Sequence, residues 1–155
     1  MLINSPLGPL TLEASHIGLR RVSFGGSGTG SSPLLEEAAS QLGEYFAGKR
    51  LHFDLALDAS TQGFRAEVQT ALSDIGYGKA VSYSQLAATC GYERAVRAVG
   101  SACANNPLLI IRPCHRVLRA DGSIGGYAGG PEAKRWLLEH EQRVAGNLSI
   151  AETVQ

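Results

Sequence analysis

The stretch "VSYSQLAATCGYERAVRAVGSACA" (Val81–Ala104) decides how this chain is read. Ser82 stands three residues ahead of Gln85, the spacing at which each side chain caps the other's free backbone N–H at a helix start. A short helix over "YSQLAATC" follows, Gly91 breaks it, and "RAVRAVGSACA" resumes the helical pattern. Two short helices joined by a glycine turn predict a helix-turn-helix. In the second helix Val96, Val99 and Cys103 form the buried stripe. Arg94, Arg97 and Ser101 project the other way, separated by Ala95, Ala98 and Gly100. Small residues around two arginines suit close approach to a phosphate backbone or a narrow groove.

Upstream, "FRAEVQTALSDI" places Phe64, Val68, Ala71, Leu72 and Ile75 on one face, which predicts a helix ending at Gly76 and a tight turn at "GYGK". The first sixty residues read as a small α/β unit. "GPLTLEAS" and "LRRVSFGG" are two strands joined around His16-Ile17-Gly18. "GGSGTGSS" is a loop, and "PLLEEAASQLGEYFAGK" is a helix with a proline start and early glutamates. "LHFDLALD" alternates as a further strand, and Ala59–Gly63, "ASTQG", is the linker. The expected division is therefore 1–60, 61–144 and a C-terminal tail at 145–155.

Composition narrows the function classes. Of the 155 residues, 44% are hydrophobic, an ordinary value for a soluble fold. The longest apolar run, Pro107–Ile111, falls far short of the ~20 residues that span a bilayer. The start "MLINSPLGPL" lacks the basic and apolar segments of a signal peptide, so a cytoplasmic protein without membrane association is expected. Cys90, Cys103 and Cys114 form an odd set without CxxC spacing, which argues against a disulfide framework and a zinc knuckle. His16 and His52 have no cysteine near them, and neither metal nor cofactor is expected. Net charge is zero but uneven: residues 1–60 carry four Lys/Arg and six Asp/Glu, −2, while 61–144 carry ten and seven, +3. That asymmetry permits a polyanionic partner for the second half.

The reactive centre is expected in "IRPCHRVLRADGSIGGYAGG" (Ile111–Gly130). A free thiol has a pKa of roughly 8.5, so Cys114 needs an activator, and His115 stands beside it. Neighbours in an extended segment point to opposite sides. Either the chain turns sharply at "PCH", or a water bridges imidazole and sulfur. A third group should orient the imidazole. In "PEAKRWLLEHE", Pro131 fits a first helical turn, and Lys134, Leu138 and Glu141 share a face that includes Leu137. Glu141 is the candidate; its competitor His140 instead pairs with Trp136 in packing. The glycine-rich loop can bring backbone close to a flat ligand, with Tyr127 supplying a ring to stack on it.

"PCHRV", "DGS" ahead of "GYAGG", and "KRWLLEHE", with "VSYSQLA", "RAVG" and "NNP", resemble the O6-alkylguanine-DNA alkyltransferases, also called methylated-DNA–protein-cysteine methyltransferases. The resemblance runs from Phe64 to Glu141, and "SPLGPLTLEAS" is similar to the family's first strands. It implies an α/β (α+β) protein: a small N-terminal ribonuclease-H-like unit followed by a C-terminal helix-turn-helix domain of winged-helix type. It implies irreversible, single-turnover transfer of the alkyl group from O6-alkylguanine, and from O4-alkylthymine, in double-stranded DNA to Cys114. His115 would deprotonate Cys114 through water, Glu141 would orient His115, and Tyr83 would donate a proton to the departing guanine. Asn106 resembles the hinge between recognition helix and active-site strand. Tyr127, Ala128 and Gly129 would line the pocket, with the backbone around Val117 in its floor. The recognition helix would enter the minor groove of the duplex, and Arg97 would fill the stack left by the flipped nucleotide. Arg94, Tyr83, Ser84, Tyr92 and Arg65 complete the expected DNA-facing set, and a monomer is expected.

Three departures stand out. Arg112 occupies a place usually apolar, Gln69 replaces a frequent tryptophan, and "GYERAVR" lacks the common turn proline. Arg112 either alters the packing of the active-site strand or adds a phosphate contact. The rival readings are an alkyltransferase-like protein that binds lesions without transfer, a cysteine hydrolase, and a plain DNA-binding regulator. Cys114 in "PCHR" counts against the first, and the expected DNA-binding helices against the second. The third leaves Glu141 unexplained.

Overall fold

The computed structural model describes residues 1–59 and 62–154, with side chains as far as Asn147. A two-residue strand that the sequence did not announce, β1 (Leu2–Ile3), pairs antiparallel with β2 (Leu10–Ala14). β2 pairs in turn with β3 (Leu19–Phe24), as expected for a hairpin. The helix α1 (Pro33–Phe46) is capped by Ser32, whose hydroxyl accepts the Leu35 N–H, with Pro33 fixing the first turn. Leu35, Ala38, Leu42 and Tyr45 are buried on its inner side against Leu10, Leu12, Leu19 and Val22 of the sheet.

"LHFDLALD" does not form the expected strand. Only Leu57 bridges the sheet, in parallel with Leu19: the Leu19 N–H donates to the Ala56 carbonyl at 2.9 Å, and the Asp58 N–H to the Leu19 carbonyl at 2.8 Å. The reason lies on the outer edge of β3, where Leu108 bridges Val22. Two segments share one short edge, so neither extends into a ladder. The expected linker Ala59–Gly63 includes Ser60 and Thr61, which lie outside the described residues.

In the second half, α2 (Phe64–Leu72) is shorter than expected. Ser73, Asp74 and Ile75 donate to carbonyls three residues back, which tightens the chain out of α geometry. β4 (Val81–Ser82) leads into α3 (Tyr83–Thr89), and both halves of the capping box form: Ser82 Oγ accepts the Gln85 N–H at 3.0 Å and Gln85 Oε1 the Ser82 N–H at 2.8 Å. Gly91, at φ +80°, breaks the helix, and α4 (Val96–Ala104) follows. The Ala95 N–H closes a turn onto the Tyr92 carbonyl, so α4 starts later than expected and Arg94 lies in that turn instead of on the helix. Beyond a 3-10 turn at Cys114–Arg116, β5 (Val117–Leu118) pairs in parallel with β4 as the small wing. The last helix, α5 (Pro131–Val154), runs through most of the residues set apart as a tail. Trp136 and His140 stack at 4.7 Å and 15° on it, the packing pair expected.

Among the described residues the interior holds two apolar clusters. One lies between the sheet and α1 and takes in Leu108, Ile110 and Leu137; the other lies among α2, α3 and α4 and takes in Cys114 and Val117. No helix among the described residues is long and apolar enough to cross a membrane.

Candidate functional site

The segment after α4 carries strain and a device that holds it. Ile110 has φ 72°, a left-handed conformation that costs a β-branched residue about 1–3 kcal/mol. Asn106, 5% exposed, clamps the loop from inside. Its Nδ2 donates to the Arg112 carbonyl at 2.8 Å, its Oδ1 accepts the Leu108 N–H at 3.0 Å, and the Arg112 N–H donates to the Leu108 carbonyl at 2.9 Å. The clamp delivers the chain into the 3-10 turn that begins at Cys114, so the chain does turn at "PCH".

Cys114 then forms part of the wall of a cavity of about 500 Å3 between α3, α4 and the glycine loop. Tyr83, Arg97, Cys103, Tyr127 and Ala128 line it as well. Val117 and Gly129 stand one layer back. Val117 is fully buried, and its carbonyl accepts from Lys134 Nζ at 2.6 Å. Gly129 lies so close to Phe24 that a Cβ there would meet the ring at 2.5 Å, and only hydrogen fits.

Behind Cys114, His115 is wholly buried, and its Nε2 lies 2.7 Å from Oε2 of Glu141. Arg116 donates to the same carboxylate through Nε at 2.8 Å and Nη2 at 3.0 Å, and the Tyr45 hydroxyl donates to Oε2 at 2.7 Å. Burial by itself would raise the Glu141 pKa, but the hydrogen bonds from His115 and Arg116 outweigh it and hold the carboxyl well below the usual range. An ionised carboxylate only accepts, so His115 carries its hydrogen on Nε2 and keeps the lone pair on Nδ1. That Nδ1 is buried and has no hydrogen-bond partner in the protein. Burial also pushes the His115 pKa down, so the imidazole is neutral at rest.

Burial pushes the Cys114 thiol up, while the hydrogen bond with Asn106 and the field of the Lys134 ammonium pull it down. Lys134 is fully buried; it donates to the Val117 and Gly126 carbonyls at 2.6 and 3.2 Å and lies 5.7 Å from the centre of the Tyr83 ring. The second thiol in the wall, Cys103, is pushed up to about 12 by burial and by Cys114.

Sequence reasoning missed three side chains of this site. Arg116 lay in the quoted "PCHR" without an assigned role. Lys134 was placed beside Glu141 on the inner face, and a lysine on a buried stripe is a usable signal. Tyr45 carried no signal of its own, being one of several apolar residues on α1.

The expected DNA-facing residues spread more widely. Arg97 is exposed at the cavity rim, and Ser84 and Arg94 are exposed outside it. Exposed Arg65 lines a separate cavity of about 350 Å3 with Arg21 and Asn105. Tyr92 is half-buried, its ring edge-on to Phe64 at 4.7 Å and its hydroxyl on the exposed Glu67. Among the described residues no three His, Cys, Asp or Glu side chains are grouped as a metal site.

Residues 63–143 match the family described as 6-O-methylguanine DNA methyltransferase, DNA binding domain. Residues 1–59 match its ribonuclease-like domain. A methylated-DNA–protein-cysteine methyltransferase of Methanosarcina barkeri is 39% identical over 150 residues, covering 91% of this chain and 95% of that protein. Among solved structures, the Mycobacterium tuberculosis OGT in complex with DNA is 41% identical with a TM-score of 0.83, covering 92% of each chain. The Mycobacterium tuberculosis O6-methylguanine methyltransferase is 39% identical, also at 0.83, covering 92% of this chain and 91% of that one.

Proposed function

The chain belongs to the 6-O-methylguanine DNA methyltransferase family, and on that premise we propose which of its residues carry out the reaction. It is a methylated-DNA–protein-cysteine methyltransferase that binds DNA and repairs it by direct reversal of damage.

Cys114 is the acceptor. Its sulfur attacks the alkyl carbon on guanine O6, or on thymine O4; the S–C bond forms as the C–O bond breaks. The thiol proton passes to His115 Nδ1, directly or through one water, and the imidazolium is stabilised by Glu141 across the 2.7 Å contact. The departing base takes a proton from the Tyr83 hydroxyl; the imidazolium then releases its proton to solvent and solvent reprotonates Tyr83, so both side chains return to their starting forms. The net change replaces the thiol hydrogen by the alkyl group and regenerates the unmodified base. A thioether offers no carbonyl for water to attack, so each molecule works once. The DNA-facing part is α4, lying in the minor groove, with Arg97 at the cavity rim replacing the flipped nucleotide in the stack. Asn106 holds the strained loop that presents Cys114. The protein acts as a monomer.

The observation that carries this reading is a thiol in a cavity wall with an unpartnered imidazole nitrogen and an ionised carboxylate behind it. Intact-protein mass spectrometry after mixing with excess O6-methylguanine duplex tests it. One methyl on the peptide containing Cys114, and none in Cys114→Ala, is expected. Product release over many equivalents would instead indicate a hydrolase.

A further inference from the structure

We propose that Tyr45, on α1 in the N-terminal half, is a positioning residue for alkyl transfer, its hydroxyl holding the Glu141 carboxylate in register with His115. The inference rests on the roles given above to Cys114, His115 and Glu141.

Tyr45 lies 96 residues from Glu141 in the chain, yet both are buried and their oxygens are 2.7 Å apart. The ring is fixed on several sides. Phe46 and Tyr77 meet it edge-on at 5.4 and 6.2 Å, and Phe53 lies tilted at 5.6 Å. His140 of α5 packs on the ring at 5.4 Å and hydrogen-bonds the Tyr45 carbonyl through Nε2 at 2.9 Å. The hydroxyl is therefore held on Glu141 by the packing around it. Burial and the neighbouring carboxylate push the phenol far above its usual pKa, so it stays a donor throughout the working range.

The hydroxyl shares Oε2 with His115 and Arg116 Nη2, while Oε1 receives Arg116 Nε and, at 3.4 Å, the Gly78 N–H. Each donor on Oε2 withdraws charge from the atom that stabilises the imidazolium. Removing the phenolic donor leaves more charge facing His115, and His115 then binds its proton more tightly. The other groups whose charge reaches this cluster are Arg116, Tyr77 and Lys134, with Arg143 acting on Tyr77; His140 packs from α5. All of them persist when only the Tyr45 hydroxyl is removed. In this arrangement the N-terminal half supplies one polar contact to a reaction otherwise carried by residues of the C-terminal half.

The test measures single-turnover methyl transfer from an O6-methylguanine duplex across pH, with the full chain. The proteins are wild type, Tyr45→Phe, Glu141→Gln and the double variant, together with protein carrying 3-fluorotyrosine at position 45. Tyr45→Phe keeps the ring and is expected to move the acid limb of the rate profile upward by about half a pH unit or more. Its duplex affinity should stay near wild type. The fluorinated ring, a stronger donor of almost the same shape, is expected to move the limb the other way. In the Glu141→Gln background the loss of the hydroxyl should add little. A Tyr45→Phe profile lowered by one factor at every pH, an unmoved limb with 3-fluorotyrosine, or full additivity with Glu141→Gln would each overturn the proposal. Absence of methyl transfer in the wild type would overturn the functional reading itself.

Discussion

Nη1 of Arg112 lies 3.5 Å from Oε1 of Gln69, and both side chains are buried. Two of the positions at which the sequence departs from the family pattern therefore face each other between α2 and the active-site loop. Gln69 continues the chain of contacts, since its Nε2 donates to the Ala102 carbonyl of α4 at 3.0 Å. Arg112, 7% exposed, packs inward. Its guanidinium faces Gln69 in the interior rather than solvent.

The two positions should be coupled in stability. Arg112→Met leaves the buried Gln69 oxygen without its donor and is expected to cost about 1–3 kcal/mol. Gln69→Leu removes the one side-chain partner that the Arg112 guanidinium has among the described residues and should cost at least as much. The double variant restores an apolar pair and should lose about 1 kcal/mol or more less than the sum of the single changes. Urea denaturation of the four proteins at pH 7.5 measures this, and strict additivity would mean the two side chains are independent.

Acid should weaken the fold in two steps. His115 is shifted below its ordinary 6.5 in the folded protein. As pH falls below about 6.5 the unfolded chain binds a proton that the folded chain refuses, and stability declines. Glu141 is shifted below its ordinary 4.5. Its contribution is complete above that value and is lost as pH falls toward the folded pKa. Urea midpoints recorded from pH 8 to pH 3.5 should show both declines, and His115→Gln should lack the upper one. A wild-type midpoint flat between pH 7 and pH 5 would contradict the buried neutral imidazole.

What the sequence disclosed was local. The capping box of Ser82 and Gln85, the break at Gly91 and the "PCHR" run are each set by a few neighbouring residues, and each is formed or placed as read. The alternation of "LHFDLALD" reported a half-buried extended segment correctly, but no pattern within it discloses that Leu108 already occupies part of the β3 edge. The periodicity of the sequence places Arg94 on a helix, but the chain closes a turn from Ala95 to Tyr92 and α4 begins only at Val96. The site divides in the same way. Cys114, His115 and Glu141 have local signatures, whereas Tyr45 reaches Glu141 only through the docking of α1 against α5.

Lys134 should set the pH at which Cys114 reacts. Its ammonium is buried beside the thiol and lowers the pKa that burial has raised. Lys134→Met should move the thiol upward, so that transfer from free O6-benzylguanine needs a higher pH while the limiting alkaline rate survives. Each unit of displacement corresponds to about 1.4 kcal/mol of lost thiolate stabilisation. Rates against pH for the wild type and the variant decide. A uniform fall with no displacement would make Lys134 a support for the Val117 and Gly126 backbone and nothing more.

Arg97 should matter only when a base must leave the duplex. It is exposed in the first turn of α4, at the rim of the cavity that holds Cys114, with Ala98 beside it and Gly100 on the same wall. Rotating a nucleotide into that cavity opens a gap in the stack, at a cost of a few kcal/mol. A guanidinium fills the gap with a flat, charged group that hydrogen-bonds the orphaned base. Arg97→Ala should therefore slow repair of an O6-methylguanine duplex by roughly a hundredfold, the equivalent of about 2.7 kcal/mol. Its rate with free O6-benzylguanine should change little, because that substrate requires no flipping. Arg94, placed in the turn before α4, serves as the contrast: Arg94→Ala should weaken duplex binding and flatten its salt dependence by about one phosphate contact without touching the free-base rate. Side-by-side rates for the two substrates settle the matter. If Arg97→Ala slowed both equally, the side chain would be shaping the cavity, and the flipping role would belong elsewhere on α4.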